Sequence, residues 1–159
     1  MNAGNNFTIR PLTDADATFV SQVALRLYHG PTTSPRDPER MQAFFTALTP
    51  ADLTRDPGTE AFVAVAEDSG APLGLLVIKP DFDYFTDHPR AYVEILVVAE
   101  EAEGRGVGRA LMAHAERWGR EHGCHEVVLD VFANNLSAIA FYERIGFAPD
   151  HLRMSKSLA

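Results

Sequence analysis

A mixed α/β domain is what this sequence predicts, and three observations carry the prediction. Two short apolar runs, separated by a turn, read as an antiparallel hairpin in the first half. Strand-like runs then alternate with helical patterns in the second half, which together with the hairpin indicates a mixed sheet. The length of 159 residues, 46% of them hydrophobic, supplies one core and is short for two.

Each element follows from local signals. Residues 7–10 read as a short strand. Thr13 then opens a helix, with Asp16 three residues on in capping-box spacing. Val20, Val23, Ala24 and Leu27 recur at helical spacing as its buried face. Residues 30–38 hold Pro31, Pro35 and Pro38 and form a loop; Asp37-Pro38 supplies the N-cap and first position of a second helix. Its buried stripe is Met41, Phe44, Phe45 and Leu48, and Thr49-Pro50 ends it. Strands at 61–66 and 73–78 flank the turn Asp68-Ser69-Gly70. A loop over 80–89 leads to a strand at 91–98. After a glycine-rich stretch, Val107, Leu111, Ala115 and Trp118 mark a helix closing near Gly123. A strand at 126–131 follows. Asn134-Asn135 opens a last helix bearing Ala138, Phe141, Tyr142 and Ile145 on one face, with Gly146 at its C-cap. Residues 152–157 read as a final strand.

Composition narrows the function. With 22 Asp and Glu against 14 Lys and Arg, the net charge is −8, which argues against nucleic acid or an anionic membrane as partner. Cys124 is the sole cysteine, so neither an internal disulfide nor a multi-cysteine zinc site is expected. The six histidines lack metal-binding spacing, and no metal is implied. Apolar runs such as 95–99 are far below the ~20 residues that span a bilayer, and the N-terminus shows no signal-peptide pattern. A soluble, cytoplasmic protein is the expectation.

The stretch from Glu103 to Arg109 is the most informative. Closely spaced glycines between a strand and a helix turn backbone N–H groups toward one point, and the helix N-terminus favours an anion there. A simple tight turn is the alternative reading. Charge sharpens the case. Residues 81–103 carry seven acids and one base, whereas residues 104–120 carry four bases and one acid. Arg105 and Arg109 stand close enough to reinforce a bound phosphate. A dinucleotide G-x-G-x-x-G fails, because Arg109 or Leu111 occupies the third glycine position; a Walker A Gly-Lys-Ser/Thr is absent.

Here the chain resembles the GCN5-related N-acetyltransferases. Their signature, Arg/Gln-x-x-Gly-x-Gly/Ala after a strand, appears as Glu103-Gly104-Arg105-Gly106-Val107-Gly108, with Glu103 departing from it. A second motif appears as Asn135-Leu136-Ser137-Ala138 and Tyr142-Glu143-Arg144-Ile145-Gly146-Phe147. The resemblance implies a mostly antiparallel sheet with one splayed parallel strand pair and helices on both faces. It implies acetyl-CoA as co-substrate, its pyrophosphate cradled by residues 103–109, with Val107 and Gly108 among them. Leu96, Val97 and Val98 would lie along the pantetheine arm, and Asn135 would bond it or serve only as a helix cap. A main-chain N–H of the splayed strand would stabilise the developing oxyanion.

A primary amine with a pKa near 10 must lose a proton before it attacks. Glu94, alone among apolar neighbours in its strand, is the candidate base, directly or through water. Strand alternation sets it on the face of Tyr92, Leu96 and Val98, and burial there would raise its pKa. The resemblance makes Tyr142 the acid that protonates the departing thiolate; packing as a core aromatic is compatible with that role. For the amine acceptor, a small molecule or a peptide, the acidic and aromatic loop holding Asp83 and Tyr84 suits a cation, though it also reads as a solvated loop. The family's cleft wall would add Tyr28, His29 and Phe45. The expectation is one N-acetyltransferase domain over 1–159, a possible homodimer, transferring acetyl directly in a ternary complex. A non-catalytic acyl-CoA-binding or interaction module on the same fold is the alternative.

Overall fold

The computed structural model describes residues 6–28 and 35–158. Five strands form one sheet in the order β1-β2-β3-β4-β5: β1 (Phe7–Pro11), β2 (Glu60–Ala66), β3 (Pro72–Phe82), β4 (Pro89–Val98) and β5 (Glu126–Leu129). The first four are antiparallel neighbours, and β5 joins β4 in parallel. The helices are α1 (Ala17–Ala24), α2 (Pro38–Thr46), the single turn α3 (Pro50–Leu53), α4 (Val107–Glu121) and α5 (Leu136–Arg144).

Central β3 is buried without a break from Leu73 to Ile78, as a strand covered on both faces must be. On one face lies α4, and two glycines let it come close. A Cβ at Gly119 would sit 3.3 Å from that of Ala91, and one at Gly74 would meet Val107 and Leu111 at 3.0 Å. Leu111, Met112 and Ala115 are fully buried in that contact, and Trp118 donates from Nε1 to Glu60 at 3.0 Å. Val20 and Val23 of α1 enter the core from its own contact with β3 and β4. The start of α1 is fixed by Asp16, which accepts from the Thr13 N–H at 2.9 Å and from both terminal guanidinium nitrogens of Arg10 at 2.8 Å.

Three local expectations change. The stripe Met41, Phe44, Phe45 and Leu48 is at best half-buried: α2 packs chiefly on α1 and the 3-10 turn after it, and Phe44 stays 64% exposed. Thr49-Pro50 not only closes off α2 but begins α3, where Thr49 and Asp52 make a reciprocal cap. Residues 152–157 form no strand. Alternating apolar residues become a strand only where a sheet edge pairs them, and here Leu152 and Met154 are exposed with β5 ending the sheet.

Candidate active site

The site grows out of a mismatch in length between β4 and β5. Their parallel pairing runs from Arg90 opposite Glu126 to Val93 opposite Leu129, and stops there. On its other side β4 stays paired with β3 as far as Val98 opposite Gly74. The segment from Glu94 to Val98 therefore keeps an edge that β5 does not cover, with backbone N–H and C=O groups that need partners.

At that point β4 also bulges. Val93 pairs with Ile78 and Ile95 with Val77, so Glu94 is the extra residue. The bulge reverses the alternation beyond it. Leu96 and Val98 share the α4 face with Ala91 and Val93, whereas Tyr92 shares the opposite face with Ile95 and Val97. The expectation that Glu94 lies with Leu96 and Val98 fails for this reason. Glu94 instead keeps company with Lys79, the cross-strand partner of Tyr92, whose Nζ is 3.3 Å from its carboxylate.

Glu94 is not a buried carboxylate either; its side chain is 40% exposed. Lys79 bridges it to Asp56 at 3.2 Å and sits 5.7 Å from the centre of the Tyr92 ring. Burial pulls the Lys79 pKa down, but hydrogen bonds and charge from Asp56 and Glu94 outweigh it, and the net shift is upward. Tyr92 donates to Asp130 at 3.1 Å; burial first, then the Asp130 charge, push its pKa up to about 12.

A cleft of about 180 Å³ opens where the two strands part. It brings together Glu94 and Leu96 of β4, Asp130 just past β5, Asn135 and Tyr142 around α5, and Leu27 and Phe45 from the α1–α2 side. Asn135 caps α5, accepting from the Ala138 N–H at 3.2 Å, so its structural role is real whatever else it does. The Tyr142 ring packs edge-on against Phe141 and Phe147, and burial pushes its hydroxyl up to about 12, keeping it protonated at neutral pH. A larger hollow of about 420 Å³ on α2, lined by Arg36, Arg40, Met41 and Phe44, contains none of these groups except Phe45 beside it.

The glycine loop follows β4 through a 3-10 turn at Glu100–Ala102. Gly104 and Gly106 take left-handed φ values of 72° and 80°, and nothing lies within 4 Å of where a Cβ would stand on either. Gly106 caps α4, and the N–H groups of the first turn, at Val107, Gly108 and Arg109, have no acceptor inside the helix. Arg105 and Arg109 are exposed, and neither makes an ion pair among the described residues. Glu103 does: it is bound by Arg26, from the 3-10 turn after α1. These groups fit a diphosphate, and the uncovered edge of β4 fits an extended amide-bearing arm.

The expected acceptor residues are not gathered in the same way. Asp83 accepts from the N–H groups of Phe85 and Thr86 and from the Thr86 hydroxyl, and pairs with Arg90 at 3.1 Å. The Thr86 hydrogen bonds, with help from Arg90, hold its carboxyl below the usual range. Tyr84 is 90% exposed. Neither lines the cleft, because β3 and β4 run on to Phe82 and Pro89 and carry their turn to the far end of the hairpin. Tyr28 is half-buried beside Leu27 but outside the cleft lining, and His29 lies outside the described residues. Sequence reasoning missed Asp130, Leu27 and Arg26. The position of Asp130 at the carboxyl end of a parallel strand was a usable signal.

An uncovered strand edge leading into a glycine-capped helix start fits an extended, phosphate-bearing ligand. Residues 22–147 match the Acetyltransferase (GNAT) family, and the chain belongs to it; acetyl-CoA is that family's co-substrate. The chain is 29% identical over 143 residues to an aminoglycoside N(6')-acetyltransferase type 1 of Stenotrophomonas maltophilia, covering 88% of this chain and 85% of that protein. A solved structure from Pyrococcus furiosus superposes with a TM-score of 0.77 at 26% identity, covering 96% and 99% of the two chains. The aminoglycoside N-acetyltransferase AAC(6')-Iy, solved in complex with CoA, shares the fold with a TM-score of 0.71 at 19% identity, over 100% and 99%. Among the described residues no helix is long and apolar enough to cross a membrane, and no group of three metal-ligating side chains occurs.

Proposed function

We propose that this chain is a single-domain cytoplasmic N-acetyltransferase that moves acetyl from acetyl-CoA to a primary amine of a small molecule, by direct attack. One observation carries the reading: Glu94, Leu96, Asn135 and Tyr142, which lie in separate parts of the sequence, line one cleft where β4 parts from β5. The likeness to an aminoglycoside acetyltransferase over most of both chains favours a small amine as acceptor.

Acetyl-CoA supplies an activated acyl group with a thiolate as leaving group. Gly104 through Arg109 hold the diphosphate with backbone N–H groups and two arginines. The free edge of Leu96, Val97 and Val98 would bond the arm, and a main-chain N–H there would stabilise the negative charge that develops at the thioester. An incoming amine is cationic at neutral pH and is drawn by the carboxylates of Glu94 and Asp130, against the apolar wall of Leu27 and Phe45. Glu94, half-exposed and reachable by water, takes its proton. Tyr142, held neutral by burial, gives a proton to the departing sulfur and regains one from the attacking nitrogen, which sheds its second proton as the amide forms.

The test is thiol release from acetyl-CoA against a panel of amines: aminoglycosides, polyamines, amino acids and an N-terminal peptide. Release with a small polyamine or amino sugar supports the reading. CoA binding without release from any amine would point to the non-catalytic module instead.

A further inference from the structure

The loop that should attract a diphosphate begins with acids. Glu100, Glu101 and Glu103 directly precede Gly104, and a carboxylate beside a bound diphosphate repels it. Arg26 stands against that group. Its guanidinium reaches 77 residues along the chain to pair with Glu103, and its other terminal nitrogen lies 3.8 Å from Glu100. The side chain is 33% exposed, and its Nε is buried without a hydrogen-bond partner. Packing in the 3-10 turn after α1, rather than solvation, thus sets where the charge sits.

We propose that Arg26 is a positioning residue for the co-substrate: it neutralises Glu103 and draws its carboxylate toward α1, so that Arg105, Arg109 and the first turn of α4 present net positive charge to the diphosphate. This rests on the reading of residues 104–109 as the diphosphate site. Without Arg26, the acid at the head of the loop cancels one of the two arginines. With Glu103 made neutral, Arg26 is no longer needed.

That asymmetry is the test. CoA affinity is measured by calorimetry for the unaltered protein, Arg26→Met (which keeps the apolar stem), Glu103→Gln and the double variant, with melting curves to establish folding. Arg26→Met should weaken CoA at least tenfold, Glu103→Gln should stay within threefold, and the double variant should return to within threefold of Glu103→Gln. Packing alone cannot give that recovery, since Glu103→Gln restores no contact of Arg26. A double variant as weak as Arg26→Met, or an Arg26→Met that binds normally, overturns the proposal. Should Arg26→Met not fold, Arg26→Lys replaces it: retained affinity supports neutralisation, and a tenfold loss that Glu103→Gln does not repair overturns it. Failure of the unaltered protein to bind CoA is a separate result, and it removes the functional reading itself.

Discussion

From Pro89 to Val93, β4 is held by β3 on one side, and by β5 on the other from Arg90 onward; beyond Glu94 only β3 holds it. The upper half, Ile95-Leu96-Val97-Val98, is if anything the more apolar, since the lower half carries Arg90, so a want of strand-forming residues does not explain the contrast. What differs is the partner. β5 stops at Leu129, the chain turns toward α5, and a bulge falls on the first residue without a β5 neighbour. On the function proposed above, the lower half is framework and the upper half is a socket. The socket consists largely of main-chain groups left uncovered, with few special side chains around them.

If that division holds, side chains at the parting of the strands should matter for turnover far more than for folding. The largest effect is expected from Tyr142→Phe. Loss of a positioned proton donor should lower kcat by about a hundredfold, with CoA affinity and melting temperature little changed. The pH profile sharpens the test. Burial raises the pKa of Tyr142 to about 12, so its neutral, donating form is full below pH 10 and drains only above. The alkaline side of the rate profile between pH 6 and 10 should therefore look alike in the unaltered protein and in Tyr142→Phe. A hydroxyl-dependent limb near pH 9 would argue against the assignment.

Glu94→Gln comes next, with kcat/KM for the amine down roughly ten- to a hundredfold. Glutamine keeps the size and the hydrogen bond to Lys79 but cannot take a proton. Unchanged turnover would move the base elsewhere, with Asp130 across the cleft the first place to look.

The contrast between the halves of β4 also explains what the sequence could disclose. Helix starts at Thr13, Asp37 and Asn135 were legible, because capping is written in adjacent residues. The glycine loop and the Tyr142 segment were legible as motifs. The bulge at Glu94 was not: nothing in Tyr92-Val93-Glu94-Ile95 marks an extra residue, which exists only against the register of β3. Arg26 was hidden for a similar reason, since its partner lies 77 residues away. The stripe on α2 misled because helical spacing reports amphipathicity without saying which neighbour covers the apolar face.

A third, smaller effect separates the loop's backbone from its side chains. Gly106→Ala introduces no clash, but it forces alanine to a φ of 80°. Holding that conformation costs roughly 1–2 kcal/mol, and relaxing it turns the α4 N-terminus. CoA affinity should fall about tenfold, in line with that energy. Gly108→Ala is the control. Its new Cβ would meet Phe141 and Val98 at 3.4 and 3.5 Å, ordinary contact distances, so affinity should stay within about twofold of the original.

The smallest effect concerns the far end of the hairpin. Tyr84 is 90% exposed and packs only edge-on against Phe85, itself 89% exposed, on a turn that Asp83 holds together. Between that turn and Glu94 lie five residues of β4, or about 16 Å of strand. A ring at that distance neither walls the cleft nor contributes to the lower half's pairing. Tyr84→Ala should accordingly leave kcat/KM within twofold for any small amine that turns over, and the melting temperature within a degree or two. A large rise in KM confined to long or multiply charged amines would show that the acceptor extends down the sheet from the cleft. The framework half of the hairpin would then be part of the socket for such substrates, and the division drawn at Glu94 would hold for the acyl carrier alone.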